Sequence, residues 1–214
     1  MQGDPSPAPR RRGRPPSFDR DAATSAALGA LWSKGYEATT VEDLTRATGL
    51  APSSLYAAFG SKHGVLSAAL TRYDRDRDAL LAPLEHGHAG VADLLAFLDA
   101  VRRSLAEPGT PGCFMVNTAT EVAPRDPLIA EQTNRYRTRV RQGITAALRR
   151  AAELGETQPG GELDRARIVQ ACVYGALVAA RSGAAPDATA ALDALERQVE
   201  TWPDKGPGQG DSAQ

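Results

Sequence analysis

Six side chains between residues 39 and 63 could make a dense set of polar contacts: Thr39, Thr40, Ser53, Ser54, Tyr56 and Lys62. Hydroxyls and an ammonium of this kind suit phosphate oxygens and the edges of nucleic-acid bases. Ser53 and Ser54 are expected to read base edges, and Thr39, Thr40, Tyr56 and Lys62 to hold phosphates near helix N-termini, where anions are favoured.

The surrounding residues say how such groups would be held. Thr40 with Asp43 three residues on forms a capping-box pattern that starts a helix. Val41, Leu44 and Ala47 give it an apolar stripe. Gly49 ends it in the left-handed conformation that only glycine takes without penalty. Pro52 suits the first turn of the next helix, with Leu55 and Phe59 inward and Ser53, Ser54 and Tyr56 outward. Two short helices joined by a tight turn, the second facing solvent, fit the geometry that enters a DNA major groove.

Thr39-Thr40-Val41, Gly49-Leu50, Ser54-Leu55-Tyr56, Phe59 and Ser61-Lys62 together resemble the N-terminal signature of the TetR/AcrR family of transcriptional regulators. Two departures stand out. Ala51 occupies a position where the family usually has Ser or Thr, and Ala57 and Ala58 replace its aromatic or His residues. The resemblance implies a dimer on a palindromic operator, regulated by a small molecule in a C-terminal cavity, most often as a repressor.

Composition sets the class. Hydrophobic content of 42% and charged content of 24% fit an ordinary globular chain. The net charge is −1, with eight Lys/Arg against six Asp/Glu in residues 1–66. Two cysteines make no disulfide framework, no apolar run could span a membrane, and a cytoplasmic protein is expected. An enzyme is not: there is no Ser/His/Asp set, metal-ligand spacing or phosphate loop, and no cofactor is implied. His86 and His88 lack a Cys or acidic cluster to complete a metal site.

In chain order, residues 1–17 read as a disordered basic arm. Its Arg12-Gly13-Arg14-Pro15 resembles an AT-hook core, with Arg12 and Arg14 able to enter a narrow minor groove; a solubilising tail is the alternative. Residues 18–64 form the helix-turn-helix domain, 65–203 a regulatory and dimerisation domain, and 204–214 a tail. A helix is expected over Phe18 to Lys34, with Trp32 on its inward face. A fourth helix starts at Lys62, and a break falls near Pro83 to Gly90.

Val91 to Ala106, Leu128 to Leu154 and Leu163 to Gly183 are further helices. Tyr136, Val140, Ala147, Ala151 and Leu154 would point inward, and Arg135, Arg137, Arg139 and Arg141 form a solvated face. Ala188, Leu192, Leu195, Val199 and Trp202 fall on heptad-like spacing. With the preceding helix, apolar nearly all round, they are the expected dimer interface. No strand pattern occurs, so the fold is all-α.

On the resemblance, Phe97, Val101, Phe114, Met115, Asn117, Glu121, Tyr136 and Tyr174 are the candidate residues for a largely apolar effector. Cys113 has no basic neighbour in sequence and is expected to be an inert thiol. An architectural or constitutive DNA-binding protein without an inducer is the alternative reading of the chain.

Overall fold

The computed structural model describes residues 18–106 and 111–202, and among these it has ten α-helices, one 3₁₀ turn and no strand. The proposed arm residues Arg12 and Arg14 therefore lie outside the described residues.

The first four helices are set by local signals. Asp19 caps α1 (Arg20–Lys34), accepting from the N–H groups of Asp21 and Ala22. Thr40 and Asp43 close a complete capping box on α2 (Val41–Thr48), which ends at Gly49 with φ 69° and ψ 10°. Pro52 opens α3 (Pro52–Phe59) after Ala51, which supplies no side-chain cap. Ser61 caps α4 (Lys62–Asp76). Leu28, Leu31, Leu44, Leu55 and Leu66 form the core of this bundle. Ala47, expected on the inner stripe of α2, is exposed. In an eight-residue helix packed mainly on α1, Leu44 alone is fully buried.

Helix α5 (Asp78–His86) follows almost without pause and contains Pro83. Pro83 lies inside the helix, and the break comes at Gly87, within the expected stretch from Pro83 to Gly90. Arg150 donates to the carbonyls of Pro83 and Leu84, both at 2.9 Å. Beyond it come α6 (Val91–Ala106), α7 (Phe114–Glu121), the 3₁₀ turn Ala123–Arg125, α8 (Pro127–Glu153), α9 (Glu162–Arg181) and α10 (Ala185–Thr201). Helix α8 packs on α5, α6, α7 and α9, and α10 on α9 and α6.

One apolar core runs through both halves, from Ala23 to Val199. Four sequence expectations change here. Leu154 is 56% exposed rather than inward, since α8 ends at Glu153. Arg139 does not lie on a solvated face: it binds Asp74, Asp78 and Glu85 at 2.7–2.8 Å. The stripe Ala188, Leu192, Leu195 and Val199 is buried inside the protomer, so it joins α10 to α9 and α6 rather than facing a partner. Helix α9 is not buried on all sides either. Ile168 and Val178 are 57% and 48% exposed, and Ala171 and Gly175 lie open between them.

Candidate nucleic-acid interface and apolar cavity

The turn between α2 and α3 presents α3 to solvent. Ser53 and Tyr56 are exposed, the latter by 44%, and Ser54 is half-buried. Without a cap from Ala51, the first N–H groups of α3 are left to an outside acceptor, and an oxyanion suits them. Thr40 is exposed beside the N-terminus of α2. Lys62 sits at the start of α4, its ammonium 4.4 Å from the centre of the Tyr36 ring.

Thr39 is a correction. Its side chain is fully buried and donates to the Gly35 carbonyl at 2.5 Å, which closes the α1–α2 turn and leaves the hydroxyl unable to reach a phosphate.

Asp43 carries more of this site than its capping role implied. It accepts from Lys34 Nζ at 2.7 Å and from the Thr40 N–H and hydroxyl at 2.9 Å each. The Lys34 hydrogen bond first, and then the two from Thr40, hold its carboxyl well below the ordinary 3.8. A depressed carboxylate contributes stability that is complete above the ordinary value and lost as pH falls through the lower folded value. Asp43→Asn is therefore expected to flatten the acid limb of the melting curve below about pH 4; an unchanged acid limb would reject this role.

The second feature is a cavity of about 400 Å³ where the two halves meet, within the range of small-ligand sites. Tyr73 of α4, Arg77 at the α4–α5 junction and Leu80 of α5 form one side. Phe97, Val101 and Ser104 of α6, Tyr136 and Val140 of α8, and Val173, Tyr174 and Leu177 of α9 form the rest, with Pro111, Gly112 and Cys113 at one end. Trp32 of α1 completes the wall.

Of the eight expected ligand residues, Phe97, Val101, Tyr136 and Tyr174 line this space. The other four do not. Phe114 packs behind it against Trp32 and Tyr73. Met115 lines a separate hollow with Leu70 and Gln132. Asn117 donates to the Pro111 carbonyl at 2.7 Å.

Glu121 has a different post: its two carboxylate oxygens accept from the Tyr36 and Glu37 N–H groups at 3.1 and 2.8 Å. It thus clamps the end of α7 onto the turn that leads into α2. Gly35 approaches this carboxylate so closely that a Cβ would meet it at 3.0 Å, and its φ of 84° itself favours glycine.

Other bonds tie the same halves together. Trp32 donates from Nε1 to the Gly112 carbonyl at 3.1 Å, and Arg181 donates to the carbonyls of Trp32 and Pro111. His63 Nε2 lies 2.8 Å from Asp126, which also caps α8. Cys113 is buried, accepting from the Tyr73 hydroxyl at 3.3 Å; burial pushes its thiol pKa up, as befits an unreactive thiol. Trp32, Tyr73 and Arg77 went unnoticed as cavity residues because they belong to the N-terminal helices and their junction. The inward spacing of Trp32 and Tyr73 signals only core, and Arg77 stands in a stretch of alternating charge.

Comparison with known proteins accords with this arrangement. Residues 23–69 match the profile "Bacterial regulatory proteins, tetR family", and residues 90–200 match "Tetracyclin repressor-like, C-terminal domain". The chain is 34% identical over 179 residues to the HTH-type transcriptional repressor ComR of Escherichia coli K12, covering 82% of this chain and 85% of that protein. The structure resembles a cysteine mutant of the regulator CifR complexed with 26 bp double-strand operator DNA. The TM-score is 0.76 at 25% identity, over 86% of this chain and 98% of that one. A regulator from Chloroflexus aurantiacus J-10-FL gives a TM-score of 0.74 at 25% identity, covering 86% of this chain and 92% of its own. These relatives are regulators, not enzymes.

Proposed function

Because the chain belongs to the TetR family of bacterial transcriptional regulators, we propose that it is a cytoplasmic, ligand-responsive repressor. It binds a palindromic operator as a homodimer and releases it when a small molecule occupies the cavity. The observation that carries this reading is the shared wall: Trp32 belongs to the DNA-binding bundle yet borders the cavity, and Glu121 joins α7 to the turn before α2. A ligand that moves the wall must therefore bear on the recognition helix. This differential contact in two states is what coupling between sites requires.

One recognition helix reads too few base pairs to select a site in a genome, and a two-fold dimer doubles them. The open face of α9 is suited to a second copy. Gly175 lies in mid-helix, where glycine costs up to about 1 kcal/mol relative to alanine, and a Cβ there would meet nothing within 4 Å. Nothing in the protomer requires that glycine; the close approach of a partner helix would.

On the DNA side, Tyr56 and Lys62 hold phosphates, and Ser53 and Ser54 meet base edges; the Thr40 hydroxyl and N–H are both donated to Asp43 and leave the phosphate set. Footprinting over the promoters around the gene tests the reading, with a protected palindrome expected and its absence counting against it. Lys62→Ala is expected to weaken binding across all sequences and to lower the slope of log affinity against log salt by about one. Ser53→Ala is expected to change base preference while leaving that slope intact. A Lys62→Ala protein with the wild-type slope would remove Lys62 from the phosphate set.

A further inference from the structure

Among the side chains that line the cavity, mostly aromatic and aliphatic with Ser104 and Cys113, one carries a charge. Arg77 lines it with its guanidinium 4.6 Å from the centre of the Tyr73 ring and 5.7 Å from that of Trp32. Its Nε is buried and has no hydrogen-bond partner among the described residues. The carboxylates nearest in sequence are all engaged by other arginines. Asp76 pairs with Arg72 at 2.8 Å, and Asp74 and Asp78 pair with Arg139 at 2.7 and 2.8 Å. Arg77 takes part in no ion pair among the described residues.

A guanidinium that stays charged at every accessible pH, with its Nε buried and unpartnered and no counter-ion beside it, is costly to hold against aromatic walls, even with the residue half-buried. The two ring faces offset part of that cost through cation–π attraction, but they satisfy none of the N–H groups. Nothing in the packing of α4 on α5 needs a cation here, since Arg139 already ties that junction down.

Resting on the ligand-responsive reading above, we propose that Arg77 is the anion-binding point of the cavity, and that the effector is an amphipathic monocarboxylate. Its carboxylate pairs with the guanidinium, where the planar fork matches two oxygens at once. Its apolar body lies among Phe97, Val101, Val140 and Leu177. A single cation in an otherwise apolar space suits a monoanion; a phosphate dianion would find too few donors to replace its hydration. Because Arg77 sits where α4 passes into α5 and rests on Trp32 of α1, the carboxylate would draw on the same cation that now braces both helices.

The test uses the full-length protein with Trp202→Phe, leaving Trp32 as its one tryptophan and a reporter in the cavity wall. The probes are 4-tert-butylbenzoate, 2-naphthoate and decanoate, each beside its primary amide, with inorganic phosphate as a bare anion, all titrated to about 1 mM. At least one acid is expected to change Trp32 emission saturably, with its amide binding roughly ten- to a hundredfold more weakly, and phosphate giving no response. Arg77→Met should level acid and amide, whereas Arg77→Lys should keep the preference at reduced affinity. Amides that bind as tightly as their acids overturn the proposal. So do an Arg77→Met protein that still prefers acids, a response to phosphate alone, and silence from every acid. If Arg77→Met does not fold, the wild-type acid-to-amide ratio and Arg77→Lys decide the matter.

Operator release, followed separately by mobility shift on the footprinted fragment, keeps the two readings apart. An acid that binds but leaves DNA bound sinks the release mechanism and not the anion site. A neutral compound that releases DNA in preference to the acids does the reverse.

Discussion

Changing Ile168 and Val178 together to Glu is expected to give a folded 22.5 kDa monomer whose operator affinity falls by at least about a hundredfold. Both side chains are more than two-fifths exposed in the protomer, so the substitutions break no internal packing and the melting temperature of the isolated chain should hold. On an α9 face pressed against a second copy, however, they would bury like charges with no partner. Loss of the dimer turns two linked half-site contacts into one, and the high effective concentration of the second recognition helix disappears with it. Sedimentation gives the mass and a mobility shift gives the affinity. A variant that remains dimeric and binds as wild type would move the interface off α9.

The second large effect concerns stability. Arg139→Ala is expected to cost about 2–4 kcal/mol, at or below the range for breaking a buried charge set, because its side chain is still 28% exposed and those of Asp74 and Asp78 are 39% and 61% exposed. At about 2–4 °C per kcal/mol for a chain of this size, the melting temperature should fall by roughly 5–15 °C. The reason is accumulation: one guanidinium is shared by Asp74, Asp78 and Glu85, contributed by α4 and α5. Without it three carboxylates face one another. Calorimetry checks this, and a fall below about 1 °C would mean that water and neighbouring chains satisfy those carboxylates unaided.

Local signals were the legible part of the sequence. The capping box at Thr40, the left-handed Gly49, Pro52 and the uncapped Ala51 all act within a few residues, and each appears in the structure where spacing puts it. Periodicity found every long helix. What it could not do was say which element a helix face would meet. The heptad stripe of α10 looks the same in sequence whether it packs on its own chain or on a partner, and its burial against α9 and α6 is decided by tertiary contacts alone. Glu121 shares α7 with Phe114, which in sequence suggests a pocket group; only the fold brings the Tyr36 and Glu37 amides, more than eighty residues earlier, to its carboxylate. In sequence Arg77 is one charge in the alternating stretch from Arg72 to Asp78, and only the fold, where Arg72 and Arg139 take the neighbouring acids, isolates it.

Trp32 gives the two halves of the chain a common fate. Regulators built from a reading head and a sensing body invite exchange, one head grafted onto another body to rewire which signal controls which gene. Here the head carries a piece of the sensor, with its indole hydrogen-bonded to Gly112 and bordering the cavity. A graft that replaced α1 would thus alter what the body perceives as well as where the head lands. The workable seam for such hybrids runs around Trp32 and the Gly35–Glu121 clasp, not through the linker between family profiles.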